Sequence, residues 1–409
     1  MLDDDRLSGT RVVVTGIGAV TPLGESADQF WEGLVSGRSG IGPMTLADPS
    51  NYPCQISGEV SGFDPENYMD RRESRRMARF SQLAIAACSE ALKQAGLDRT
   101  NQDLERLAVV IGNGNGGFPD IDDAMRTIIE RGGTKLSPFF FPMALPNMAA
   151  ANISRMFGAK GPSATVVTAC AASTQSIGEA AVLIKRGRAD VVITGGAEAG
   201  ISELGLAGFS AMRALSSRNN EPTSASRPFD ADRDGFVPSE GAGILILESL
   251  EHATRRSARV LAEVVGYGAS SDAYHQFQPD EDGSGAARAI RWALEDAGIG
   301  PHQIDYINAH GTSTPLNDAS ETLAIKRAFG DLAFKVPISS TKSMIGHALG
   351  GAGGMEAVAC VKTLLNGIVH PTINLETPDP ACDLDYVANR QRALRVTNVL
   401  SNSFGFGGQ

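Results

Sequence analysis

Residues 165–179 read TVVTACAASTQSIGE, and the pattern changes character at Cys170. Thr165, Val166, Val167 and Thr168 are β-branched, the composition of a buried strand, whereas Ala171, Ala172 and Ser173 open a helical pattern that runs to Lys185. A strand that hands directly to a helix leaves Cys170 at the turn. Its sulfur then faces unpaired N–H groups and the positive end of the helix dipole, which lowers a thiol pKa and favours a nucleophilic thiolate. The competing use is a buried cysteine packed as a small hydrophobe.

Working outward, the same grammar recurs. Apolar strands are expected over residues 11–15, 107–111, 190–194, 243–247 and 261–266, and helices over 30–37 and 80–95, the latter closed by Gly96. A second series follows: helix 285–297, strand 305–309, helix 319–329, strand 336–340, helix 353–366 and a closing strand 394–400. Strand, helix, strand in this order implies parallel pairing through crossover helices, and two series of one style suggest a duplicated α/β fold. Gly16-Ile17-Gly18 reads as the turn after the first strand; it continues Ala-Val-Thr-Pro rather than completing a dinucleotide fingerprint. Residues 39–67 read as a surface excursion, and the aromatic stretch SPFFFPMALPN at 137–147 either lines an apolar cavity or caps a core.

Composition excludes several classes. The 409 residues are 42% hydrophobic and 20% charged, as in ordinary globular proteins. A net charge of −11 argues against nucleic acid or anionic membrane as a general partner. No apolar run is long enough to span a bilayer, and the acidic start MLDDDRL is unlike a signal peptide. The 5 cysteines are scattered without a CxxC pair, so neither a disulfide framework nor a zinc site is expected, and the home is a reducing cytoplasm. Against the acidic background, DRRESRRMAR at 70–79 stands out: Arg72, Arg75 and Arg76 fall at helical spacings and repel one another, with Glu73 offsetting part of that. The run is either a solvated face or a site for an acidic partner.

Of the 6 histidines, His310 follows strand 305–309 and His347 precedes the glycine run that opens helix 353–366. Both lie at the strand ends where α/β folds place ligands and catalytic groups. Neither has a second ligand at metal spacing, so no metal is expected. Cys170 with two strand-end histidines suits acyl transfer: a thiolate needs a partner to manage its proton, and an acyl intermediate needs donors to its oxygen. Lys342 supplies positive charge nearby, with Glu321 as its partner.

TACAAS around Cys170, NAHGTSTPLND around His310, SSTKSMIGHALGGAGG around Lys342 and His347, and SNSFGFGG at 401–408 together resemble the β-ketoacyl-acyl-carrier-protein synthases, most of all the type II enzymes of fatty-acid synthesis. The resemblance runs from Arg11 to the last residue. It implies a thiolase-like duplicated fold layered αβαβα, with halves at 10–258 and 259–409, and a homodimer. It implies Cys170 as the acyl-accepting nucleophile, His310 and His347 as the pair that assists decarboxylation of malonyl carrier, and the N–H groups of Cys170 and Phe406 as the oxyanion hole. Lys342 and Glu321 become the polar support. The same resemblance implies that Thr312 and Thr314 hold the pantetheine arm, that Phe209, Asn115 and Phe118 shape the acyl pocket, and that Arg72, Arg75, Arg76 and Arg213 dock the acyl carrier protein. No cofactor is implied beyond the phosphopantetheine that carries the substrates. Asn115 stands where the family tends to have an aliphatic residue, which bears on chain length, and the family continues past Gln409 with a short closing strand. A polyketide-type ketosynthase shares this chemistry. Non-catalytic carrier-binding subunits of polyketide systems characteristically lack the cysteine, and thiolases use a second cysteine as base, so the residues here favour a condensing enzyme.

Overall fold

The computed structural model describes residues 9–409. Its largest sheet has six strands, in the order Ser163–Val166, Leu107–Gly112, Val191–Ala199, Glu240–Ser249, Val12–Val20, Ala262–Glu263. The period-2 alternation of these strands divides their side chains between two cores. Val109, Ile111, Ile193, Ile244 and Ile246 face helix Arg79–Ala95 through its Leu83, Ala84, Ala87 and Ala91. Val110, Val192, Leu245 and Leu247 point the other way, into helices Ala172–Lys185 and Ala352–Asn366. Burial on both faces is why these strands read as continuous apolar runs rather than as alternating ones.

A second, three-stranded parallel sheet orders Ile338–Ser339, Tyr306–Asn308, Val399–Ser401. Helices Ser284–Ala297 and Pro315–Phe329 cover its outer side through Ile290, Leu294, Ile325 and Phe329. Helix Ala352–Asn366 lies between the two sheets, touching both. The stack is therefore helix, sheet, helix, sheet, helix, the expected α/β layering.

The structure corrects several details. Within the six-stranded sheet, pairing is parallel only among the strands at 107–112, 163–166 and 191–199; Glu240–Ser249 and Val12–Val20 run antiparallel to their neighbours. Apolar periodicity reports element type and is blind to direction. The segment at 261–266 does not begin the second sheet: its Ala262–Glu263 pairs with Val12–Val20 at the edge of the first. Gly16 and Gly18 are not a turn but lie inside Val12–Val20, where helix Arg79–Ala95 crosses so closely that a Cβ on Gly18 would collide with the Ala87 carbonyl. The strand before Cys170 is Ser163–Val166, an exposed to half-buried edge strand with one neighbour, and Val167 beyond it is 53% exposed. Its β-branched run is thus not a core run. The 137–147 stretch forms a short surface helix, Phe140–Ala144, with Phe141 67% exposed, while Met143 packs partly buried against the first core, so of the two expected uses the stretch serves the capping one. The expected strand at 394–400 reaches the sheet only as Val399–Ser401.

Candidate active site

The sheet hands to Cys170 through Ala169–Ala171, a single 3-10 turn leading into helix Ala172–Lys185. Ala169 holds φ at +48°, a left-handed conformation unfavourable to a residue with a Cβ. The turn is over-determined from behind: a Cβ on Gly405 would sit 2.5 Å from the Thr168 carbonyl oxygen and 3.4 Å from the Cys170 nitrogen, so only glycine lets the 401–408 segment back it so closely. Ser173 donates to the Gly350 carbonyl, and Thr174 Oγ1 lies 2.6 Å from Ser403 Oγ. Residues from both halves of the chain thereby fix one turn.

Cys170 opens onto a cavity of about 600 Å³ whose lining includes His310, His347, Thr312, Thr314, Phe209, Arg213, Phe404 and Phe406. Cys170 Sγ and one nitrogen each of His310 and His347 lie within 4.8 Å of one another, and all three residues are buried. The two imidazoles meet edge to face at 5.4 Å between centroids, with Phe404 against His310 at 5.7 Å and Phe236 against His347 at 5.3 Å. These three atoms would also satisfy the distances of a cation site, which the linear spacing of the sequence did not reveal.

Electrostatics define their states. Burial pushes the Cys170 thiol up to about 12, with Lys342 acting in the opposite sense. Desolvation thus acts against the thiolate expected at the helix N-terminus. Burial, and then the Lys342 charge, hold both histidines well below their usual value, so both are neutral. Lys342 Nζ lies 3.3 Å from His310 Nδ1 and 2.7 Å from the His310 carbonyl oxygen. An ammonium only donates, so Nδ1 accepts and the ring proton of neutral His310 resides on Nε2.

Lys342 is not paired with Glu321, as the sequence reading had it. Its carboxylate is Glu356, on helix Ala352–Asn366, with both side chains 1% exposed. Glu321 instead accepts the N–H groups of His310 and Gly311, each at 2.8 Å, and the Asn402 amide at 3.1 Å, so it fixes the backbone that carries His310. Burial raises Glu321 to about 7. Glu198, also raised by burial to about 7, accepts the N–H groups of Gly114 and Gly350 and thereby ties the glycine loop after strand Leu107–Gly112 to the loop after His347. Sequence reasoning missed Glu198 and Glu356. The available signal was a carboxylate inside an otherwise apolar run, VVITGGAEA or GGMEAVACV.

Thr312 Oγ1 and Thr314 Oγ1 sit 2.9 Å apart on the cavity wall. Phe209 lines the cavity and meets Phe406 at 6.5 Å. No acceptor among the described residues takes the Phe406 N–H. Asn115 and Phe118 do not line this cavity; Asn115 approaches Gly200 and Phe118 approaches Gly205 behind it. Arg213, exposed with φ +53°, is on the cavity lining, whereas Arg72, Arg75 and Arg76 lie elsewhere. Those three do not share one helix: Arg71–Ser74 is a single turn capped by Asp70, and the chain breaks before Arg79–Ala95. Glu73 pairs with Arg155 rather than with the run, and Arg76 stacks 4.6 Å from the Phe139 ring. Arg72 and Arg75 remain exposed.

Residues 9–253 match the family described as Beta-ketoacyl synthase, N-terminal domain, and residues 261–376 its C-terminal domain. The chain belongs to the β-ketoacyl synthase family. Among its relatives, a 3-oxoacyl-[acyl-carrier-protein] synthase 2 of Synechocystis is 51% identical over 402 residues, covering 98% of this chain and 97% of that protein. In three dimensions the chain is similar to the ishigamide ketosynthase/chain length factor, at TM-score 0.92 and 36% identity over 98% of this chain and 97% of that one. It is also similar to a type II PKS ketosynthase in complex with its acyl-carrier protein and bound to the hexaketide, at TM-score 0.89, 36% identity and the same coverage. The matches span both sheets and every site segment described above. No helix among the described residues is long and apolar enough to cross a membrane.

Proposed function

We propose that the protein is a 3-oxoacyl-[acyl-carrier-protein] synthase that elongates fatty acyl chains by decarboxylative Claisen condensation, with Cys170, His310 and His347 as its catalytic residues. The supporting observation is the meeting of one sulfur and two neutral imidazoles within 4.8 Å at the buried end of a cavity. In the first half-reaction the Cys170 sulfur attacks the carbonyl of an acyl thioester on the carrier. Its proton passes out with the departing carrier thiol, a neutral imidazole within 4.8 Å being the relay. In the second, a malonyl thioester loses CO₂ and the electron pair of the broken C–C bond moves onto the thioester oxygen. The Nε2–H of His310 and an N–H of His347 meet that charge in a desolvated site where preorganised donors count most. The carbanion carbon then attacks the acyl-Cys170 carbonyl, whose developing oxyanion the N–H groups of Cys170 and Phe406 receive. The C–S bond breaks, the 3-oxoacyl product leaves on its carrier, and the sulfur regains a proton. The chemistry needs no resident cofactor, since carrier phosphopantetheine supplies both thioesters; Thr312 and Thr314 stand on the wall where such an arm would pass.

The partner in this reading is an acyl carrier protein. A resemblance to a ketosynthase solved with its carrier supports it, as do Arg72, Arg75, Arg76 and, at the cavity, Arg213 as contacts for an acidic protein. The protein acts as a homodimer in the cytoplasm. The unpaired outer edge of Ser163–Val166, close in sequence to exposed Val167, and the exposed Phe141 and Ile129 support the dimer; five free cysteines support the compartment. The test is a reconstitution with acyl carrier and malonyl carrier. The wild type forms 3-oxoacyl carrier and CO₂; Cys170→Ala forms no condensation product yet still releases CO₂, because the enolate donors are separate from the nucleophile. Full condensing activity in Cys170→Ala would sink the mechanism.

A further inference from the structure

One buried carboxylate close to Cys170 has no part in the reaction described above. Glu198 lies in strand Val191–Ala199, 0% exposed, and does not line the main cavity. Its partners among the described residues are uncharged N–H groups. Oε2 accepts from Gly114 at 2.8 Å and Gly350 at 3.1 Å, and Oε1 from Asn115 at 3.3 Å and the Asn113 amide at 3.4 Å. A buried carboxylate without a cation keeps most of its desolvation cost, and a hydrophobic side chain would fill the same space at a lower one. Packing therefore gives no reason for Glu198, whereas the donors that converge on it do.

The donor nearest the chemistry is Gly350. It is the centre of the turn Leu349–Gly351, which begins two residues after His347. Leu349 holds φ at +41°, a conformation that a residue with a Cβ keeps only where its surroundings impose it. The Gly350 residue is gripped at both of its polar groups: the N–H bonds Glu198, and the carbonyl accepts the hydroxyl of Ser173, three residues after Cys170. A Cβ on Gly350 would sit 2.9 Å from Glu198 Oε2, so glycine lets the turn come this close. Leu349 packs in one cluster with Cys170 and Phe236. On its other side His347 is held by its own N–H, which donates to the Val237 carbonyl at 2.8 Å.

Resting on the condensing reading above, we infer that Glu198 is a positioning residue: through Gly350 it pins the strained Leu349 turn between Cys170 and His347, and so sets where His347 presents its N–H to the malonyl thioester oxygen. The helix that follows the sulfur and the loop that follows His347 are tied to one strand by this carboxylate. When the tie is lost, Leu349 relaxes out of the left-handed region and the His347 donor moves with the turn. A preorganised donor loses its effect steeply with displacement.

The experiment measures release of labelled CO₂ from malonyl carrier, without acyl primer, in the wild type, Glu198→Gln, His347→Ala and the double variant. Glutamine keeps the shape but turns one accepting oxygen into an NH₂ that faces donors. In Glu198→Gln the kcat falls about tenfold or more, as for a catalytic group moved by a fraction of an ångström. The KM for malonyl carrier is unchanged, because Glu198 lies outside the cavity that the substrate enters. In the His347→Ala background Glu198→Gln adds no further loss, since its effect passes through a side chain that is no longer there. A loss as large in that background, or a wild-type kcat in Glu198→Gln, overturns the inference while leaving the condensing activity intact. Should Glu198→Gln melt too low for kinetics, Ser173→Ala, which frees the other polar group of Gly350, takes its place in the cycle with the same expectations and the same refuting results. Absence of CO₂ release from the wild type would instead overturn the condensing reading, and this inference with it.

Discussion

Replacing Lys342 with methionine tests how the charge next to His310 is used. Lys342 and Glu356 form a pair that is 1% exposed on each side, so Lys342→Met strands a buried carboxylate. Breaking a buried pair this way costs about 3–5 kcal/mol, read as a lower urea midpoint. The neutral double variant, Lys342→Met with Glu356→Gln, removes both charges and recovers most of that loss. It does not recover the chemistry. At 3.3 Å and an effective dielectric near 20, the bare Lys342 charge acts on a protonated His310 with about 5 kcal/mol, and Glu356 beside it cancels much of this. A residual near 1.4–2.7 kcal/mol corresponds to about one to two pKa units. His310 is held low in the wild type, so removing the ammonium raises it towards its ordinary value, and more of it is protonated at mildly acid pH. The proton on Nε2 also loses its assignment, because nothing donates to Nδ1. The double variant therefore decarboxylates malonyl carrier more slowly, and the acid limb of its pH–rate profile moves upward by about one unit or more. A stable double variant with the wild-type rate and an unmoved acid limb would refute the role given to Lys342.

Three further outcomes are expected. Iodoacetamide alkylation of Cys170 rises about tenfold per pH unit across pH 7–9 without a plateau, because burial lifts the thiol to about 12; a plateau near neutral pH would restore the thiolate. Changing Arg72, Arg75 and Arg76 together to glutamate weakens carrier binding at low salt, and the difference shrinks as ionic strength rises, measured by titration calorimetry; equal affinity at low salt would return these side chains to a merely solvated face. Gly405→Ala brings a Cβ within 2.5 Å of the Thr168 oxygen, so it lowers the acylation rate of Cys170 at least tenfold while the far-UV spectrum is unchanged, and wild-type acylation by intact mass would contradict the backing role.

Much of this arrangement was legible in the residues. Turn and loop positions of Cys170, His310 and His347 follow from local pattern, since a β-branched run, a glycine and a helical period can each be read within a dozen residues, although a short helix, Lys342–Ile345, separates His347 from its strand. Direction was not legible: nothing local tells Glu240–Ser249 to run antiparallel, because that is set by the path between elements. Burial misled at two points. The residues of Ser163–Val166 look like core yet form an edge, and a cysteine before a helix looks activated until its desolvation is weighed. Pairings across long separations were the other blind spot. Glu356 and Glu321 are both buried glutamates on helices near the site, and only the fold decides which one Lys342 meets.

The turn around Cys170 has a consequence for synthesis of the chain. Its strand, its helix and all of the sheet beneath but the edge strand Ala262–Glu263 are complete once residue 249 has emerged, yet the glycine that backs the turn is residue 405. A ribosome must therefore translate about another hundred and fifty residues before the sulfur gains its backing, and both histidines arrive in that same interval. In the proposed condensing reading, a nascent or prematurely terminated chain carries Cys170 without its histidines or the Phe406 N–H, and so cannot draw acyl groups from the carrier pool before it is whole.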